Sequence, residues 1–232
     1  MKFRGLQKLT LLDYPGKTAC TVFTGSCNLR CPFCHNSELV LTPTVYPEIS
    51  EEEILLYLEK RKNTLDGICI TGGEPLLWKD IPLFCEKVKA LGVSVKLDTN
   101  GFFPDLLRYL VNSSLVDYVA MDLKNTFEKY PETVGIPALS VDRAVESFAF
   151  LKESALPHEF RTTLCRPFHT LDDVVTMART VGKDQRYFLQ TFKDSGSLIG
   201  TGVTGFTPQE MKNFKEAALP FAPLVEVRGS DV

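Results

Sequence analysis

Short apolar runs alternate with helical periodicities along almost the whole chain. Ala19-Cys20-Thr21-Val22-Phe23 is β-branched and aromatic, the composition of a buried strand. Ser50 followed by Glu51, Glu52 and Glu53 opens a helix, with Ile54, Leu55 and Leu58 on its apolar face. The same patterns predict strands over residues 67–70, 93–97, 117–121, 159–164 and 187–190. Between them lie predicted helices over residues 81–91, 104–111, 141–152 and 171–181. Thr207 followed by Pro208 caps a last helix, with proline at its first position. Strands that alternate with helices form βα units, a parallel sheet and right-handed crossovers. The expected class is therefore α/β. The units are too few for an eight-stranded closed barrel, so a partial (βα)6 barrel of parallel strands with outer helices is expected. No linker, low-complexity segment or single-charge run interrupts the pattern, and one domain over residues 1–232 is expected. Residues 194–205 are glycine-rich and read as a mobile connecting loop.

Composition changes this picture mainly by exclusion. The 26 Lys and Arg against 29 Asp and Glu give a net charge of -3 with no basic block, which argues against sequence-independent nucleic-acid binding. No apolar run approaches the roughly 20 residues that span a bilayer. The N-terminus starts basic but reaches Asp13 after a short apolar stretch and lacks a small-residue cleavage site. A cytoplasmic protein with neither a membrane nor a nucleic-acid partner is expected. Its 7 cysteines, an odd number, then sit in a reducing compartment, where grouped thiols serve as metal ligands more often than as disulfides.

In parallel sheets chemistry gathers at the carboxyl ends of strands, and the notable polar residues fall there. Cys27, Cys31 and Cys34 follow the first predicted strand. They suit either a tetrahedral zinc with His35 as a fourth ligand or a [4Fe–4S] cluster with one iron left open. Their spacing alone leaves both readings open. Thr71-Gly72-Gly73-Glu74-Pro75 follows the second strand; paired glycines let backbone approach a ligand, and the acid can accept from an ammonium group. Leu97-Asp98-Thr99-Asn100-Gly101 and Met121-Asp122-Leu123-Lys124 follow the next two, and Arg161 lies within the fifth. Acids and cations on one level of a sheet suit a zwitterionic ligand. Cys20, Cys69, Cys85 and Cys165 read as small core residues.

In combination these motifs resemble the radical S-adenosylmethionine (SAM) enzymes, and more narrowly the small activating enzymes of glycyl-radical enzymes. The resemblance runs from Gly5-Leu6-Gln7 through Asp13-Tyr14-Pro15-Gly16-Lys17 to about Gln190. The segments over 97–101 and 121–124 are also similar to the pyruvate formate-lyase activases. The opening segment, with Tyr14 before Pro15-Gly16, is closer to the activating proteins of anaerobic ribonucleoside-triphosphate reductase.

The resemblance implies one [4Fe–4S] cluster on Cys27, Cys31 and Cys34, with SAM chelating the fourth iron. It places Phe33 near the adenine and Gly72, Gly73 and Glu74 at the methionine amino group. Lys124 and Arg161 would meet the carboxylate or ribose, and Gln190 the adenine or ribose. Asp98, Thr99 and Asp122 would contact the cofactor or frame a monovalent-cation site. The implied partners are a glycyl-radical enzyme as protein substrate and a flavodoxin- or ferredoxin-type electron donor. The hard chemistry would reside in the cofactor, so no protein acid or base is required, and His158 and His169 read as incidental. Cys69 is the one cysteine between Cys34 and Gly72, so no ferredoxin-like insertion is expected. The competing readings are a lyase-type activase, a small-molecule radical SAM enzyme and, in a different class, a zinc-binding interaction module.

Overall fold

The computed structural model describes residues 1–194 and 196–229. Its strands are β1 (Lys2–Thr10), β2 (Ala19–Thr24), β3 (Ile49–Ser50), β4 (Gly67–Gly72), β5 (Ser94–Thr99), β6 (Tyr118–Asp122), β7 (His158–Leu164), β8 (Tyr187–Thr191) and β9 (Val225–Arg228). Its helices are α1 (Ser37–Leu41), α2 (Glu51–Arg61), α3 (Ile81–Ala90), α4 (Pro104–Asn112), α5 (Tyr130–Thr133), α6 (Asp142–Glu153), α7 (Leu171–Val181) and α8 (Pro208–Ala218). One sheet runs in the order β3-β1-β2-β4-β5-β6-β7-β8-β9. Every pairing from β2 to β9 is parallel, whereas β1 lies antiparallel against β2 and β3. The expected partial barrel with outer helices is therefore present, extended at both edges by strands the sequence pattern did not single out.

Local chemistry sets the helix starts. Ser50, Thr170 and Thr207 each accept from the third backbone N–H of α2, α7 and α8, and Glu53, Asp173 and Glu210 return the bond. Such reciprocal caps satisfy backbone donors that a helix start otherwise leaves orphaned.

The parity of each strand divides the sheet. Val22, Ile68, Ile70, Val95, Leu97, Val119, Met121, Phe160 and Leu189 join the buried core with the inward residues of the helices. The opposite parity carries Lys96, Asp98, Asp122, Glu159 and Arg161. On that side Arg161 of β7 reaches Asp98 of β5, past β6, at 3.0 Å. Glu159 of β7 likewise meets Arg228 of β9, past β8, at 2.6 Å. Side chains two strands apart touch only on the inside of a curved sheet, which identifies this as the barrel interior.

Of the glycine-rich loop over residues 194–205, Ser195 lies outside the described residues. Its remainder is strapped onto the cysteine loop. Ser37 donates to the Ser197 carbonyl at 2.5 Å, and Gly200 N–H to the Pro32 carbonyl at 2.9 Å. Arg166 and Thr204 exchange two backbone bonds. Backbone pairing of this kind is invisible to composition. No helix among the described residues is long and apolar enough to cross a membrane.

Candidate active site

The loop after β2 leaves the sheet through Ser26, whose φ of 68° turns the chain sharply. It is then anchored from several sides: Ser26 N–H donates to Leu39 at 2.8 Å, Arg30 N–H to Val134 at 3.0 Å, and Cys34 N–H to Cys31 at 3.0 Å. This places Cys27, Cys31, Phe33 and Cys34 on one wall of a cleft of ≈ 220 Å³. The opposite wall is built from strand ends: Gly72, Gly73 and Glu74 after β4, Asp98 and Thr99 on β5, Asp122 and Lys124 at β6, Arg161 on β7 and Gln190 on β8. Every site residue expected from the sequence lines this one cleft.

Charge crosses its floor in alternation. Lys96 pairs with Asp98; Asp98 accepts from Arg161 at 3.0 Å, Asp122 from Arg161 at 3.1 Å, and Asp122 from Lys124 at 2.9 Å. Three cations meet two carboxylates, so the ladder carries one surplus positive charge, which suits a ligand carboxylate. Burial works against ionisation of Asp122, yet Lys124 and Arg161 hold its carboxyl down at about 2. Each oxygen of Asp98 and Asp122 already has a cationic partner.

The paired glycines leave room for the neighbouring strand at the edge of the cleft. A Cβ on Gly73 would collide with the Ser26 carbonyl oxygen, and one on Gly72, whose φ is +113°, would lie 2.5 Å from Thr24 N. The turn thus grips the root of the cysteine loop, and Gly73 and Glu74 N–H donate to Thr24 and Ser26 at 2.9 Å each. The Glu74 side chain is committed as well. It is buried and accepts from Leu76 N–H at 3.0 Å, Thr99 Oγ1 at 2.8 Å and Asn100 N–H at 2.8 Å. Burial pushes its carboxyl up to about 7. Glu74 therefore ties the ends of β2, β4 and β5 together, and with three donors on its two oxygens it keeps acceptor capacity at the cleft it lines.

The cysteines are suited to bind metal rather than to act as free nucleophiles. Burial pushes the Cys27 thiol up to about 11 and Cys31 up to about 12, which keeps both protonated at neutral pH until a positive centre displaces the proton. His35, the zinc candidate, stacks on Phe192 with ring centroids 5.1 Å apart. Among the described residues no three His, Cys, Asp or Glu side chains are gathered around a single-ion position. A four-iron cluster, in contrast, takes each thiolate on a different iron and needs no such convergence. Three thiols on one wall, facing a floor with a surplus cation, fit a cluster together with a zwitterionic ligand.

Two residues escaped sequence reading. His169 is buried, with Nε2 2.8 Å from the Lys124 carbonyl and Nδ1 3.2 Å from Cys165 N–H, and so pins the loop that carries Lys124. Its ring also lies edge-on to Phe33 at 6.2 Å, beside the Phe33–Phe168 contact at 5.7 Å. Asn100 lines the cleft directly after β5. No spacing marks His169; Asn100 stood within a motif whose neighbours drew the attention.

Residues 21–181 match the family model described as "Radical SAM superfamily". The chain is 31% identical over 198 residues to a Methanocaldococcus jannaschii protein named "Putative glycyl-radical enzyme activating enzyme MJ1227", covering 82% of this chain and 79% of that one. A Haemophilus influenzae protein whose name differs only by lacking the locus label is 25% identical over 208 residues, 86% of this chain and 72% of its own. Over a shorter stretch of 94 residues, 39% of this chain and 36% of the relative, the chain is 35% identical to the 7-carboxy-7-deazaguanine synthase of Halobacterium salinarum. Among solved structures, Streptococcus suis SuiB bound to its precursor peptide SuiA superposes with a TM-score of 0.71 at 14% identity. That match covers 91% of this chain and 48% of SuiB, so the chain spans about half the length of this structural neighbour. At such identity the likeness speaks for the fold.

Proposed function

We propose that this chain, which belongs to the radical SAM superfamily, activates a glycyl-radical enzyme by generating the radical on that protein. The observation that carries the reading is the cleft itself: three loop thiols face a fixed ladder of charges. One unit over residues 1–232 is part of the proposal, since the cysteine loop and the strand ends that face it belong to one sheet and its connections. The names of the two relatives above support a protein substrate. The anaerobic ribonucleoside-triphosphate reductase is the favoured partner, on the resemblance of the opening segment.

A [4Fe–4S] cluster and SAM, when bound, supply a one-electron cleavage that yields methionine and a 5′-deoxyadenosyl radical able to take hydrogen from a glycine Cα. The chain's own residues bind, orient and shield. Cys27, Cys31 and Cys34 would hold three irons. Lys124 and Arg161, the two cations of the ladder that line the cleft, would receive the ligand carboxylate. Backbone at Gly72 and Gly73 would border the amino group. Phe33, held by Phe168 and His169, would offer an apolar face to the adenine, with Gln190 on the far side of the cleft. Holding the reactants in line and excluding water is how such a site accelerates the reaction.

The test is anaerobic reconstitution with iron and sulfide, reduction, and addition of SAM together with a purified anaerobic ribonucleotide reductase. The expected outcome is 5′-deoxyadenosine, methionine and a glycyl-radical EPR signal on the partner, all abolished by Cys31→Ser. Deoxyadenosine formed without any partner radical, but with formation of a deazaguanine, would instead favour the synthase class named by the Halobacterium relative. Zinc without iron or sulfide would overturn the cluster reading altogether.

A further inference from the structure

We propose that Asn100 orients Cys27 and raises the reduction potential of the cluster that this cysteine helps to hold. The inference rests on Cys27, Cys31 and Cys34 being the cluster ligands.

Asn100 is 5% exposed, and every hydrogen-bonding group of its side chain is committed. Its Oδ1 accepts from Phe102 N–H at 3.1 Å. That bond settles which end of the amide is which, so Nδ2 must face the cysteine loop. The two hydrogens on Nδ2 then have two acceptors: Asn28 Oδ1 at 2.8 Å and Cys27 Sγ at 3.7 Å. Cys27 Sγ receives a second donor, the Leu29 N–H, at 3.4 Å. The backbone of Asn100 is fixed in turn, since its N–H donates to Glu74 Oε2 at 2.8 Å. Glu74 thereby acts on the loop from two sides, gripping its root through Ser26 and its first cysteine through Asn100.

Two consequences follow from this geometry. The amide holds Asn28 and Cys27 against the end of β5, so the first cysteine is pre-oriented before metal arrives; removing such an outer partner typically costs about 10–100-fold in metal affinity. An N–H aimed at a metal-bound sulfur also stabilises the state with more negative charge. The reduced cluster carries one more electron than the oxidised one, so the donor raises the potential. Asn100 is in this sense a positioning residue that makes electron uptake easier.

The experiment uses the full chain, reconstituted anaerobically, with iron and sulfide content measured first. An EPR-monitored redox titration and the rate of iron loss to a chelator follow, for wild type, Asn100→Leu, Asn100→Ala and Asn28→Ala. With Asn100→Leu the ratio of reduced to oxidised cluster at a fixed potential should fall about tenfold, equivalent to ~59 mV for one electron. Iron should leave about tenfold faster. Asn100→Ala removes the donor without adding a charge, so it should move the potential the same way, and it decides the matter if the leucine variant fails to fold. Asn28→Ala loosens the loop yet leaves the donor on Cys27, so it should hasten iron loss at an unchanged potential. Wild-type potentials in both fully loaded Asn100 variants would overturn the inference, as would an equal shift in Asn28→Ala. A wild-type chain that binds no iron and sulfide would instead bring down the cluster reading on which the inference rests.

Discussion

The two faces of the sheet obey opposite rules. The helix-facing side is apolar strand after strand, and Leu97, Val119 and Phe160 are wholly buried there among α-helical side chains. The inner side carries Lys96, Asp98, Arg161 and Glu159 within the same strands, one residue out of step. Burial of apolar area stabilises the first face at roughly 25 cal/mol per Å². The second gains little from burial, because desolvating ions costs about what their pairing returns. The outer face therefore explains why the chain folds, and the inner face explains what the fold is for.

That contrast can be broken by mutation, most strongly on the inner face. Arg161→Met leaves Asp98 and Asp122 short of their shared cation, and breaking a buried pair in this way costs about 3–5 kcal/mol. Denaturant unfolding should show that loss, and equilibrium binding of SAM should weaken in the molecules still folded. Leu97→Ala attacks the outer face and should cost about 2–5 kcal/mol through the cavity it leaves; here SAM binding per folded molecule should not change. If both variants lost stability and binding together, the two faces would not be separable.

Acid gives a smaller and graded effect. Asp122 is held down at about 2, below the ordinary carboxylate value near 3.9. Its contribution to stability is therefore complete above about pH 4 and fades as pH falls from there towards 2. Stability curves of wild type and Asp122→Asn should converge across that window. The smallest effect belongs to Leu12, 89% exposed and on neither face: Leu12→Ser should alter stability by no more than about 0.5 kcal/mol.

The same division explains what could be read in the sequence. Strands β2 and β4 to β8 announce themselves because their outward residues are β-branched or large and apolar. β1, with residues Lys2, Arg4, Gln7 and Lys8, and β9, with Glu226 and Arg228, lie towards the edges, half exposed, and present no such run. Their pairing is decided by the sheet beside them. In the site, residue types and their places at strand ends were legible, and the cleft gathers them all. Their partners were not. The three donors that fold back on Glu74 are set by the tertiary fold, and the Ser26 carbonyl that Gly73 makes room for lies 47 positions earlier in the chain. His169 and Asn100 act through bonds to backbone or to a neighbour's sulfur, which leave no spacing to detect.

The bidentate bond from Arg228 to Glu159 joins residues 69 positions apart in the chain. Synthesis at ~5–20 residues per second separates their emergence from the ribosome by roughly 3–14 s. Through that interval Glu159, which is wholly buried in the finished protein, has Tyr118 as a donor, at 2.8 Å, but lacks its arginine counterion. This part of the barrel floor is thus completed only once β9 has been made, and a nascent chain halted before it would hold Glu159 without its arginine partner.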